Sequence, residues 1–136
     1  MTEDQIGLVR DSFAKVAPIA PAAASLFYGR LFTLDPSLKS LFTGDMEEQG
    51  EKLMMMIATV VGSLDRFEQI APTVRELGRR HAGYGVKAAH FDTVAVALLW
   101  ALEQGLRDVF TPAVRDSWVA CYGVLSKEMK EAAASA

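Results

Sequence analysis

The stretch PTVRELGRRHAGYG, residues 72–85, decides the fold of this chain, because it predicts an amphipathic helix that carries a histidine on its apolar face. Pro72 suits the first turn of a helix, where its missing N–H is not needed, and the two glycines suit the end. Val74, Leu77 and His81 recur at helical spacing and share one face. An imidazole on such a face is either a core residue with both nitrogens satisfied or a ligand.

Length and charge narrow the class of protein. With 136 residues, 51% of them hydrophobic, the chain is expected to form one domain, residues 1–136, with a sizeable core. The net charge of −3 and the scattered basic residues argue against nucleic acid as a partner. The longest apolar-rich run, residues 53–64, is shorter than the roughly 20 residues that cross a membrane, so no membrane span is expected.

The N-terminus and the single cysteine indicate the compartment. The opening residues lack the basic start and apolar centre of a secretory signal. Cys121 is the chain's one cysteine and can form no internal disulfide, which suits a reducing compartment. We therefore expect a cytoplasmic protein in which Cys121, flanked by apolar residues, is a buried structural thiol.

Apolar residues at helical spacing predict helices along the whole chain, and no alternating pattern predicts a strand. Capping residues and cap-then-proline pairs mark where helices begin. The predicted fold class is all-α, with seven or eight helices of unequal length and an Ala-rich end that frays. The predicted helices cover residues 3–17, 21–34, 36–42, 46–63, a short piece from 67, 72–85, 90–107 and 112 onward.

Three polar side chains fall on inward faces of these helices: Tyr28, Gln49 and His81. A buried amide such as that of Gln49 has several hydrogen-bonding sites that an apolar cavity leaves unsatisfied. A common ligand would explain all three residues. The alternative is a helical interaction module without a bound ligand, in which the same three residues would lie inside without a common partner.

Five segments resemble those of the globin family, in order and at matching separations. Within that family the chain is similar to the single-domain bacterial haemoglobins related to flavohaemoglobins and, more loosely, to neuroglobin. The resemblance implies a globin fold around a haem pocket, with haem b (iron protoporphyrin IX) as the cofactor. The segments are LFYGRLF (26–32), LF (41–42), QGEKLM (49–54), LGRRHAGYGV (77–86) and FTPAVRDSWVACYGVL (110–125).

The resemblance assigns roles to residues on both sides of the haem. His81 matches the proximal histidine that ligates the iron. Tyr28 and Gln49 match the distal positions that face a bound gas, and Leu53 matches the apolar residue that crowds it. Phe42 matches the phenylalanine that packs on the haem face. The pairing of tyrosine with glutamine is the one that resembles bacterial haemoglobins.

The resemblance also implies further haem contacts. His90 has two interpretations, as a contact to a haem propionate and as a surface residue without a specific role. The other residues expected at the cofactor are Lys52, Met56, Leu77, Arg80, Tyr84, Val86 and Phe91.

The proximal side departs from the flavohaemoglobin pattern. That group supplies a glutamate and a tyrosine beside the proximal histidine, whereas Ala133 and Phe91 stand in their places here. The free nitrogen of His81 is therefore expected to bond a backbone carbonyl, such as that of Leu77. This departure disfavours peroxidase-like activation of oxygen.

The helix of Gln49 offers no histidine to the second axial position, so ferrous iron should be five-coordinate and open to a diatomic gas such as oxygen, NO or CO. Hydrogen bonds from Tyr28 and Gln49 would slow oxygen escape and give high affinity. The predicted function is reversible oxygen binding, in storage or transport. The alternative is a nitric oxide dioxygenase that uses a separate reductase, so enzymatic activity stays open. No catalytic residue is predicted, and the chain is expected to be a monomer or a weak homodimer.

Overall fold

Short capping motifs begin several of the helices in this computed structural model, which describes residues 1–134. Thr2 and Gln5 form a reciprocal capping box, in which the side-chain oxygen of each accepts from the other's backbone N–H at 3.1 and 3.0 Å. The carboxylates of Asp35 and Asp45 each accept from the N–H two residues on, at 3.1 and 3.0 Å. These bonds satisfy backbone donors that a helix start leaves unpaired.

The described residues contain six α-helices, four short 3-10 segments and no strand. The all-α class predicted from the sequence is confirmed. The helices are α1 (Glu3–Val16), α2 (Ala20–Leu34), α3 (Met46–Gly62), α4 (Phe67–Gly83), α5 (Ala88–Leu106) and α6 (Pro112–Ala134). The 3-10 segments are Ala17–Ile19, Pro36–Leu41, Leu64–Arg66 and Arg107–Val109.

The count of seven or eight helices was wrong in two places. The short helix predicted at residues 36–42 is a 3-10 segment. The piece predicted from Phe67 and the helix predicted from Pro72 form one helix, α4, with Pro72 inside it. Burial explains the continuity, because Ala71 and Val74, on either side of Pro72, are both buried against neighbouring helices while Pro72 itself is exposed. The Ala-rich C-terminal end was predicted to fray. Helix α6 continues to Ala134, and residues 135–136 lie outside the described part of the chain.

The helices pack in pairs, and α3 and α4 do not pack closely on each other. Helix α4 packs along α6, α2 packs along α5, and α1 crosses α6. Helix α3 packs on α2 and α1. Although the 3-10 segment Leu64–Arg66 joins α3 to α4, each of these two helices packs mainly on other helices. Helices α3 and α4 are therefore held in place by different partners.

Arg10 of α1 fixes the point where α3 ends. Its guanidinium donates to the carbonyl oxygens of Val61 and Gly62, both at 3.1 Å, and to the Asp65 carboxylate at 2.9 Å. The last carbonyls of a helix have no partner within the helix, so a basic side chain at this end is stabilising. The contact holds the corner from which α3 and α4 diverge.

The main core lies between α1, α3, α5 and α6 and includes one buried polar contact. Trp118 is 2% exposed, and its indole Nε1–H donates to Ser12 Oγ at 2.9 Å. The Ser12 hydroxyl in turn donates to the carbonyl of Leu8 at 2.7 Å. Cys121 lies in the same core, where burial raises the pKa of its thiol to about 11. Its predicted burial is confirmed.

Within residues 1–134, no single helix has the length and apolar character to cross a membrane. Among these residues, one pair of neighbouring segments, Leu64–Gly83 and Ala88–Val109, is long and apolar enough when taken together. The chain bends by 112° at the break between the two segments.

Candidate functional site

The orientation of the His81 ring is fixed by the backbone of its own helix. His81 lies in the last turn of α4, and its Nδ1 is 2.7 Å from the carbonyl oxygen of Leu77, one turn earlier. A carbonyl oxygen can only accept a hydrogen bond, so Nδ1 carries a proton, and in the neutral ring the lone pair is then on Nε2. This is the arrangement in which a neutral imidazole is ready to ligate a metal. The backbone partner is the one expected from the sequence.

The turn after α4 ties His81 to the segment that carries Phe42. Gly85 has a φ of 91°, a left-handed conformation that favours glycine. The next residue, Val86, donates its backbone N–H to the His81 carbonyl at 3.0 Å. A Cβ at Gly85 would lie 3.8 Å from Cδ2 of Leu41. The end of the histidine helix therefore lies beside the 3-10 segment that leads to Phe42.

Tyr28 presents a protonated hydroxyl inside an aromatic cluster. The residue is 8% exposed, and its ring lies 4.9 Å from that of Phe27 and 5.3 Å from that of Phe42, both edge to face. Its hydroxyl donates to the backbone carbonyl of Gln49 at 3.4 Å, which is long for a bond of this type. Burial raises the pKa of Tyr28 to about 12, so the hydroxyl keeps its proton at neutral pH.

Gln49 lies in the first turn of α3 and is half-buried. Its amide nitrogen Nε2 lies 3.9 Å from where a Cβ of Gly44 would be, so the side chain extends along the loop before α3. One turn later, Leu53 is half-buried and packs against the cluster that contains Tyr28. The structure thus brings Tyr28 to the start of α3, beside Gln49 and Leu53.

Apolar side chains form two separate clusters, one on the side of Tyr28 and one on the side of His81. Helix α5 contributes to both. The predicted residues in the first cluster are Tyr28, Phe42 and Leu53, joined by Val94 and Leu98; those in the second are Leu77, Val86 and Phe91, joined by Val74 and Met129. Six of these side chains remain only half-buried, namely Phe42, Leu53, Leu77, Val86, Val94 and Leu98. An apolar ligand between the clusters would cover them.

Other residues expected at the cofactor lie at the surface or in the core. Lys52 and Arg80 are exposed and each pairs with a glutamate on its own helix, at 3.7 Å. Tyr84 is 64% exposed. Met56 is half-buried and packs against the main core rather than against the Tyr28 cluster. Contact between these four residues and a cofactor stays a prediction.

His90 has a role that neither sequence interpretation included. Its Nδ1 accepts from the backbone N–H of Lys87 at 2.9 Å, which caps the start of α5. The signal was present in the spacing of Lys87 and His90, since a capping side chain lies three residues after the N-cap. Val94 and Leu98 were not among the residues predicted for the site, and the structure packs both against the Tyr28 cluster.

Comparison with known proteins decides the family, because the sequence model described as Globin matches residues 25–129 of the chain. The chain belongs to the globin family. Globins are haem proteins that bind diatomic gases, and haem-based gas binding is accordingly the function of this chain. The all-α architecture described above is the globin fold.

Two relatives show how this globin sits within the family. It is 29% identical over 143 residues to neuroglobin of Danio rerio, covering 95% of this chain and 90% of neuroglobin. It is 25% identical over 130 residues to a flavohemoprotein of Vibrio cholerae, covering 93% of this chain. The matched region is 33% of the flavohemoprotein's length, so this globin corresponds to one part of that protein.

Two solved structures share the fold. A bacterial globin from Campylobacter jejuni superposes with a TM-score of 0.87 at 24% identity, covering 98% of this chain and 97% of that one. An engineered carbene transferase from Rhodothermus marinus, whose parent carries the provisional name nitric oxide dioxygenase, superposes with a TM-score of 0.89 at 25% identity. That comparison covers 99% of this globin and 94% of the transferase chain.

The residues of this globin fit a haem. A porphyrin supplies four nitrogen ligands to its iron, so the protein has to add one donor with a free lone pair, which Nε2 of His81 has. The flat apolar ring needs apolar walls, and the half-buried residues of the two clusters provide them. The Tyr28 hydroxyl, which contacts the Gln49 carbonyl in the first turn of α3, supplies a polar group for a bound gas.

Proposed function

We propose that this globin binds oxygen reversibly at haem b, with His81 as the proximal ligand and with Tyr28 and Gln49 as hydrogen-bond donors on the distal side. When bound, the haem supplies a ferrous iron with one axial position free for a diatomic gas. The proposal treats residues 1–136 as a single globin domain. The assignment of His81, Tyr28, Gln49, Leu53 and Phe42 to the site is part of the proposal.

The observation that carries the proposal is the state of the Tyr28 hydroxyl. It is buried and protonated, and its bond to the Gln49 carbonyl is 3.4 Å long. Such a bond is weak, so the hydroxyl can turn to a better acceptor at little cost. Dioxygen at a ferrous centre draws electron density and is such an acceptor, whereas carbon monoxide is a poor one. The hydroxyl therefore favours oxygen over carbon monoxide.

Gln49 and Leu53 support the same role in different ways. The amide of Gln49 has no hydrogen-bond partner among residues 1–134, and it is half-buried at the start of α3. We infer that it turns from the loop to donate a second bond to the gas. Leu53 and Phe42 are apolar and exclude water from the space beside the Tyr28 hydroxyl, which strengthens the polar contacts made there.

The visible spectrum of the purified protein tests the proposal. The unmodified protein should bind added haemin, and after reduction its spectrum should change with oxygen and return when oxygen is removed. The His81→Gly variant should lose the haem or its gas binding and recover them with free imidazole. His90→Gly is the matched control, because it removes the chain's other histidine and should keep the haem. A His81→Gly protein that stays red and oxygenated without imidazole would end the proposal.

Oxidation of nitric oxide to nitrate, with electrons from a separate reductase, is the second candidate function. It is supported by the similarity to the Rhodothermus marinus protein, whose parent has that provisional name, and to the Vibrio cholerae flavohemoprotein. Tyr28 and Gln49 would hold oxygen in the same way. Nitrate should then form over many turnovers when oxygenated protein, nitric oxide and a reductase are mixed. One equivalent of nitrate followed by a stalled ferric protein favours oxygen binding alone.

A further inference from the structure

We propose that Gly78 is a positioning residue for His81: by allowing the backbones of α4 and α6 to touch at Met129, it fixes the carbonyl group that orients the histidine ring. The inference rests on the proposed role of His81 as the haem ligand. It adds a determinant at the contact between α4 and α6, three residues before His81 in the same helix.

The contact at Gly78 is one that only glycine allows. Gly78 is buried, and a Cβ at this position would lie 2.5 Å from the carbonyl oxygen of Met129 and 2.7 Å from its Cα. Both are backbone atoms of α6, so no side chain can rotate away to make room. Ordinary contact between such atoms requires about 1 Å more. A residue with a Cβ must therefore move one helix relative to the other.

The same peptide group carries the acceptor for His81. The carbonyl of Leu77 is bonded to the nitrogen of Gly78, and the peptide plane moves as one unit. That carbonyl accepts from Nδ1 of His81 at 2.7 Å. Any shift of Gly78 away from α6 therefore moves the oxygen that sets the tautomer and the direction of the imidazole.

Two contacts beside Gly78 keep α4 from sliding along α6. Val74, one turn earlier, is 1% exposed and packs in a cluster with Met129. Arg75 pairs with Glu128 of α6 through an Nε to Oε2 contact of 2.9 Å. With sliding restrained, a Cβ at Gly78 displaces α4 outward from α6. Because α3 does not pack closely on α4, α3 offers little resistance to that displacement.

The test compares three variants of the haem-loaded protein: Gly78→Ala, Gly83→Ala and Val74→Ala. Gly83 is the matched control, because it lies in the same helix two residues after His81 and a Cβ there meets no atom within 4 Å. Val74→Ala weakens the same helix contact without pushing the helices apart. The readouts are the iron–imidazole stretching frequency, from resonance Raman spectra of the reduced protein, and the affinity for haem.

Gly78→Ala should shift the stretching frequency and lower haem affinity roughly 10- to 100-fold, the range found when a group that orients a metal ligand is disturbed. Gly83→Ala should change neither quantity. Val74→Ala should lower the stability of the apoprotein while leaving the frequency in place. The proposal is overturned if Gly78→Ala keeps the wild-type frequency, or if Val74→Ala shifts it equally.

A measurement on the apoprotein separates this proposal from the proposed function and covers the case in which Gly78→Ala does not fold. In the unmodified apoprotein, ¹⁵N spectra should show the neutral His81 ring as one tautomer, with its proton on Nδ1, because the Leu77 carbonyl is already held in place. A mixture of the two ring tautomers while the Gly78 amide stays protected from exchange overturns the proposal. Failure of the unmodified protein to bind haemin contradicts the proposed function instead.

Discussion

Replacing Tyr28 with phenylalanine isolates the hydrogen bond that is proposed to hold oxygen. The ring should keep its edge-to-face contacts with Phe27 and Phe42, whose centroids lie 4.9 and 5.3 Å away. The hydroxyl that is lost makes only a 3.4 Å bond to the Gln49 carbonyl in the gas-free protein. The free energy of unfolding of the gas-free protein should therefore change by less than about 1 kcal/mol.

The loss should be seen once oxygen is bound. A hydrogen bond to a partly charged acceptor contributes about 1.5–3 kcal/mol. Since about 1.4 kcal/mol corresponds to a factor of ten, oxygen should dissociate roughly 10- to 100-fold faster from Tyr28→Phe. Carbon monoxide should dissociate at nearly the wild-type rate, because it is a poor acceptor. Stopped-flow displacement of oxygen by carbon monoxide measures the first rate, and displacement of carbon monoxide by nitric oxide measures the second.

Tyr122→Phe provides the matched control. It is the same chemical change at a tyrosine whose hydroxyl donates to the carbonyl of Phe91 at 2.6 Å, outside the cluster of Tyr28. This variant should lose about 1 kcal/mol of stability and leave the oxygen rate unchanged. The reasoning is refuted if Tyr28→Phe releases oxygen at the wild-type rate, or if oxygen and carbon monoxide are accelerated equally.

Three further predictions concern stability. Ser12→Ala removes the oxygen that accepts from Trp118 Nε1 at 2.9 Å in the core, so urea unfolding should show a loss of about 1–3 kcal/mol, and an unchanged midpoint contradicts this. A hydrogen bond from Arg10 lowers the pKa of Asp65, so this carboxylate stabilises the fold above its unfolded pKa and loses that effect as the pH falls through its folded value. Thermal melts should therefore separate Asp65→Asn from wild type near about pH 7 and bring them together in acid; a constant separation would argue against the pairing. Burial raises the pKa of the Cys121 thiol to about 11 in the folded protein. The protonated thiol therefore contributes fully to stability below the ordinary thiol pKa, and this contribution is lost as the pH rises from there through the folded value. Between about pH 9 and 11, Cys121→Ala should remove up to about 2–3 kcal/mol of the alkaline fall in unfolding free energy, and parallel curves for the two proteins would be the contrary result.

The site could be predicted from the sequence where its signals are local. The bond from His81 to the Leu77 carbonyl spans one helical turn, so recognising the helix was enough to expect it. The cap that His90 provides for α5 is equally local, but it was not predicted, because the residues typical of that capping position are glutamate and glutamine rather than histidine. The bond from Tyr28 to the Gln49 carbonyl joins residues 21 apart in the chain, and no spacing rule indicates it.

The sequence by itself determined that the chain is helical, which faces of its helices are apolar, and that one histidine lies on such a face. Helical periodicity and caps act between neighbouring residues, so they are visible in one dimension. Tertiary structure alone decided that α4 continues through Pro72, that α3 and α4 pack on other helices, and that Gly78 touches Met129. These outcomes depend on burial against residues far away in the chain, and the free energy of that burial outweighs the local preference of a proline to begin a helix.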